Sequence, residues 1–287
     1  MRSIALLVLL APAVARAEDE PAAMAPAPEA PATAPVASGE RVTMPAKRGM
    51  VHAQLGINLS TDNVGKPISL SPDIWYGIND KLTIGLIHTG VGQNGIQGGI
   101  SSVGTSLCLT GEDNGCGKIY DNVGIDVRYT LKSDAKLALA LDGGLFVNSF
   151  DPFQLSLKVG VAGRYRLGKQ LALDFSPNLS FGVTERDGAL DAMGNSLGAN
   201  KEVLALPATF VYGLNEKIGL LGQISLAMPF EKAGDLYAVG IALGGSYALN
   251  KQFSLELIFA LPLVVTGIED AGGVDARTLT LGGSYAF

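Results

Sequence analysis

The sequence predicts an all-β protein: a closed antiparallel transmembrane β-barrel of about twelve strands, preceded by a signal peptide and a disordered Pro/Ala-rich N-terminal linker. Three observations carry this reading. The chain is 47% hydrophobic and only 17% charged. Yet its longest apolar run beyond the N-terminus, Leu257 to Val265, is far short of the roughly 18 residues that a spanning helix needs. Alternating apolar and polar residues recur in runs longer than the five or six residues usual for a soluble strand, and of the length (~9–11) that crosses a bilayer at a tilt. Finally, a tyrosine-bearing turn repeats along the chain.

The elements follow in order. Met1 and Arg2 precede an apolar stretch, Ile4 to Ala15, and the small-x-small site Ala15-Arg16-Ala17. Residues 1–17 therefore read as a secretory signal peptide, cleaved before Glu18. No cysteine follows the site, so no lipid is expected on the new N-terminus. Residues 18–49 form the linker, in which Pro21, Pro26, Pro28, Pro31 and Pro35 alternate with alanines. Such a segment buries no core. It reads as a disordered periplasmic spacer, with a strap entering a pore as the other reading.

Residues 50–287 form the barrel domain. Val51, Ala53, Leu55, Ile57 and Leu59 alternate with His52, Gln54, Gly56 and Asn58, giving one apolar and one polar face. The predicted strands are 50–59, 67–77, 82–90, 120–130, 137–147, 153–166, 171–183, 203–213, 218–228, 236–247, 253–264 and 277–287. Their short connections repeat one pattern. Tyr76-Gly-Ile-Asn-Asp-Lys-Leu82 returns as Tyr165 to Leu171, Tyr212 to Ile218 and Tyr247 to Phe253, and in longer form as Tyr129 to Leu137. With Tyr285 on the last strand, six tyrosines share one level of the apolar face, as amphipathic rings do at a headgroup boundary. The longer connections 91–119 and 184–202 lie at the opposite end. Cys108 and Cys116, with seven residues between them, are the only cysteines and are expected to form a local disulfide in an oxidising compartment. Pro177, Pro207 and Pro262 fall inside strands and should mark bulges or breaks.

The repeated tyrosine turns and the ending Leu279-x-Leu281-x-Gly283-x-Tyr285-x-Phe287 resemble Gram-negative outer-membrane β-barrel proteins over roughly Met50 to Phe287. The resemblance is to the class. It implies an integral outer-membrane protein in contact with outer-membrane lipid, commonly a passive channel. It also implies that Phe287, a final aromatic on an alternating strand, is the signal read by the barrel-insertion machinery.

Alternation then assigns the inner wall. Its charged candidates are Asp73, Asp126, Arg128, Asp142, Lys158, Arg164, Arg166, Asp174, Glu256 and Arg277. Many other inner positions are small, with Trp75 and Phe146 the bulky exceptions. Two readings stand side by side: a constriction with a transverse field, or ion pairs that fill the barrel. His88 and Asp121 share a parity and could meet, but no serine is placed beside them: Ser101, Ser102 and Ser106 lie in the intervening loop. No catalytic residue is therefore assigned. No metal cluster or phosphate loop appears in the sequence, so no cofactor is expected. A formal charge of −6 argues against nucleic acid as a partner. The expected function is a narrow porin-like channel for small solutes. A surface-recognition barrel is the second reading, and a lipid-active enzyme the third.

Overall fold

The apolar face of each alternating run turns outward and the polar face inward, because the strands close on themselves. In the computed structural model the described residues are 42–59, 68–89, 107–110, 118–120, 122–187, 200–231, 237–267 and 277–287. They form β1 (Gly49–Asn58), β2 (Ile68–Gly77), β3 (Leu82–Ile87), β4 (Leu107–Cys108), β5 (Val123–Ser133), β6 (Leu137–Phe150) and β7 (Phe153–Arg166). They continue as β8 (Leu171–Phe175), β9 (Asn178–Gly182), β10 (Val203–Gly213), β11 (Ile218–Pro229), β12 (Ala238–Ala248), β13 (Phe253–Thr266) and β14 (Thr278–Ala286). All strand pairings are antiparallel, and β1 pairs both β2 and β14, so the sheet has no start. β8 and β9 each pair with β7 and β10 and are two halves of one strand. β4 is a two-residue addition beside the outer half of β2. The closed wall is thus the expected twelve strands, with one of them broken and one short extra strand added.

Outward positions carry large apolar side chains in the open, such as Leu243 at 69% exposure. In water, so much contiguous apolar surface would be an aggregation liability; in hydrocarbon it is the matching surface. The tyrosines do occupy one level. Tyr129 pairs with Leu82, Tyr165 with Leu137, Tyr212 with Leu171, Tyr247 with Ile218 and Tyr285 with Phe253. Each thus lies beside the first residue after a neighbouring turn, while Tyr76 lies opposite Gly49.

The turn repeat has a direct cause. Asn79 Oδ1 accepts the N–H groups of Lys81 and Leu82, both at 2.9 Å. Asn215 does the same for Lys217 and Ile218, and Asn250 for Gln252 and Phe253. Asp134 does so for Lys136 and Leu137 in the longer turn. A short amide or carboxylate that bonds the backbone two and three residues on closes a turn tightly. That is why a polar residue returns at this position.

Several boundaries differ from the sequence reading. The third strand stops at Ile87, three residues early, because the N–H groups of His88 and Thr89 turn to Asp73 Oδ1 at 2.7 and 3.1 Å. The next long strand starts at Val123 and runs to Ser133, shifted toward the turn. Leu107–Cys108 pairs with β2 inside the stretch read as loop. Pro177 breaks a strand into β8 and β9, and Pro262 lies where the β12–β13 register slips between Val239 and Ile241. Pro207 interrupts nothing: it stays inside β10, opposite Ser225. The linker expected to extend to residue 49 ends sooner, since Val42–Arg48 packs against the barrel. Residues 1–41 lie outside the described residues.

Candidate functional site

The polar faces enclose a cavity of about 660 Å³. Its charges are not spread evenly. Asp73, Asp126, Arg128, Asp142, Lys158, Arg164, Asp174 and Glu256 all line it, and they come from the arc that runs from β13 through β1 to β8, leaving out β10, β11 and β12. The facing strands contribute neutral side chains such as Thr209, Val211, Gln223 and Ser246.

Register explains how the charges meet. Arg128 is directly opposite Asp142, and its Nε lies 3.3 Å from Asp142 Oδ1. Arg164 is directly opposite Asp174 and grips both carboxylate oxygens at 2.6 Å. Two other contacts reach across an intervening strand. Asp126, Gly144 and Lys158 lie at one level on β5, β6 and β7. With no side chain on Gly144, Lys158 Nζ passes to Asp126 Oδ2 at 3.0 Å and also sits 3.1 Å from Asp142 Oδ2. Gln54, Gly282 and Glu256 repeat the arrangement on β1, β14 and β13. Gln54 Nε2 donates to Glu256 Oε1 at 3.1 Å, and His52 Nε2 lies 3.0 Å from the same oxygen. A Cβ on residue 282 would stand 2.3 Å from Glu256 Cγ, so only glycine leaves this path open.

Asp126 and Asp142 have side chains only 1% and 2% exposed. Carboxylates that deep need partners, and one lysine serves both. Arg128 also stacks over Trp75 at 4.5 Å, and Lys158 over Phe146 at 5.0 Å. Asp73 differs. It accepts the His88 and Thr89 N–H groups and the Thr89 hydroxyl, and so ends β3.

The remaining sequence candidates fall elsewhere. Arg166 ends β7, beyond the residues around the cavity. Arg277 lies just before β14 with its Nε buried, and is not among the residues around the cavity. His88, read as lipid-facing, is buried, with its ring nitrogens against the Pro72 carbonyl and, at 3.0 Å, the Tyr120 hydroxyl. Asp121, Ser101, Ser102 and Ser106 lie outside the described residues. Cys108 is disulfide-bonded; Cys116, the other cysteine of the sequence, lies outside them too. Phe287 closes the seam, exchanging backbone hydrogen bonds of 2.9 Å with Gly49.

The strap, the other reading of the linker, is what residues 42–48 form. Lys47 N donates to Gly77 O at 2.8 Å, Met44 N to Thr83 Oγ1 at 2.8 Å, and the Thr43 and Thr130 hydroxyls are 2.8 Å apart. The segment therefore crosses the short-turn mouth from β2 past β3 to β5, where Arg128 Nη1 donates to Val42 O at 3.4 Å. Gly77 makes room for it: a Cβ there would lie 2.0 Å from Pro45 O. Val42, Thr43 and Met44 line the cavity. The composition of 18–49 hid this, because proline and alanine dominate its average. Gly77 and Thr83 are the inward residues that receive it.

No protein-family model and no curated protein matches the chain. Solved structures do. The NanC porin in a rhombohedral crystal form superposes with a TM-score of 0.55 at 11% identity, covering 82% of this chain and 98% of that one. The KdgM porin in complex with disordered oligogalacturonate gives 0.53 at 9% identity, covering 83% and 99%. The chain has the fold of the outer-membrane β-barrel porins.

Proposed function

We propose that this protein is a porin-like channel of the outer membrane that passes small solutes by passive diffusion through a narrow, charged lumen. The observation that carries the reading is the cavity inside a closed barrel, walled over most of its girth by paired charges and crossed at the short-turn mouth by the strap. Twelve strands lie between barrels that side chains fill and barrels with a wide aqueous channel, so a restricted path is what the strand count allows. Arg128 stands in it beside the strap, held by Asp142, the Trp75 ring and the Val42 carbonyl. Rings of charge at a constriction discriminate among solutes by sign as well as size.

The test is single-channel conductance of the refolded full-length mature protein in a planar bilayer. Discrete, steady steps are expected. Their size should rise in the variant Thr43→Val/Thr83→Val, which removes two anchors of the strap. A silent bilayer from protein that has folded would overturn the channel and move the search for function to the long connections at the other end.

A further inference from the structure

The end of the barrel that carries the short turns is strongly basic. Each of the five turns supplies a lysine: Lys81, Lys136, Lys169, Lys217 and Lys251. Lys47, Arg48, Lys132 and Arg166 lie at the same end, and the acids there are Asp80, Asp134 and Glu216. This is a surplus of six positive charges on a chain whose formal net charge is −6. Two of the acids are engaged within the rim: Asp134 accepts two backbone N–H groups and pairs with Lys132 at 2.9 Å, and Asp80 accepts Ala46 N at 3.5 Å. Among the described residues Lys81, Lys169, Lys217 and Lys251 have no ion-pair partner, and all four are exposed.

Position narrows what such a rim would bind. The lysines stand just beyond the ring of tyrosines, within a few residues of it along the strands, and Lys136 Nζ rests 5.5 Å over the Tyr165 ring. In a membrane barrel, that level is where lipid phosphates lie. The charge also runs around the whole circumference, one lysine for each hairpin. A single macromolecular partner would meet one side of such a collar, whereas a lipid leaflet meets all of it.

We propose that this collar binds the phosphates of anionic phospholipids in the leaflet that faces the short turns, and so selects the lipid around the barrel by charge. The proposal rests on the reading of the chain as a membrane-spanning barrel.

The experiment is native mass spectrometry of the full mature protein taken from mixed phosphatidylglycerol–phosphatidylcholine bilayers, with insertion checked by heat-modifiable gel mobility. Wild type should retain phosphatidylglycerol over phosphatidylcholine. The variant Lys81→Gln/Lys169→Gln/Lys217→Gln/Lys251→Gln should lose at least about fivefold of that preference, while the same four positions changed to Arg should keep it. The preference should shrink as salt rises and survive added inorganic phosphate at matched ionic strength. Equal retention of the two lipids by wild type, or an undiminished preference in an inserted glutamine variant, would overturn the collar. Loss of the preference to free phosphate would make it a site for soluble anions and overturn the lipid assignment. Failure of wild type to insert would remove the membrane reading itself.

Discussion

Lys158 holds two buried carboxylates with one ammonium, and its removal is the sharpest single perturbation available in the lumen. Lys158→Met leaves Asp126 without its cation, while Asp142 keeps Arg128. Breaking a buried pair from one side costs several kcal/mol; about 3 kcal/mol is expected here, because Lys158 retains some exposure to the cavity. Adding Asp126→Asn should recover most of it. Denaturant unfolding of the two variants in the same bilayer checks this, and equal stability of wild type and Lys158→Met would remove the pairing. The charges themselves were legible, since alternation alone tells which side chains face inward. Their pairing was not. It depends on register across three strands and on the glycines at 144 and 282, past which side chains reach a strand that does not pair with their own.

At the scale of the element, the turn is the unit the sequence displays best. A repeated Tyr-x-x-Asn pattern marks where the chain reverses, and the asparagine oxygen is the reason it can. Asp134 performs this role with a charge. The Leu137 N–H first, then Lys132 and the Lys136 N–H, hold its carboxyl down at about 2. An aspartate depressed in the folded protein adds stability that is complete above its ordinary value near 4 and is lost as the pH falls through about 2. Carboxyl NMR should therefore place its midpoint near 2. Asp134→Asn keeps the acceptor and should make the turn insensitive to pH across that window. A midpoint near 4 would show that the turn contacts do not form. Strand ends were less legible, because they are decided by side chains from elsewhere. Asp73 takes the N–H groups that would have extended β3, and no periodicity within residues 82–90 announces a competitor on another strand.

For the whole molecule, closure was legible because apolar residues facing lipid leave the sheet no edge to expose. The strap was legible only as one of two readings, because its place is set by the mouth it crosses rather than by its own composition. Export predicts a mature chain beginning at Glu18, and a Cys108–Cys116 bridge predicts a gain of two mass units on reduction. Intact mass of the protein purified from outer membrane, before and after reductant, checks both; an N-terminus at Met1 or unchanged mass would refute the respective assignment. The wall also has two lines of weakness. β2 and β3 share a ladder only from Ile74 to Gly77 against Thr83 to Leu86, and the strand made of β8 and β9 is interrupted at Ser176 and Pro177. Along the closed strand order they are separated by β7, β6, β5 and β3 on one side and by a longer arc through β10 to β1 on the other. A tube with two interrupted ladders is not equally stiff in every direction. Lateral pressure from a bilayer bends such a wall first where its ladders are interrupted, not evenly around its girth.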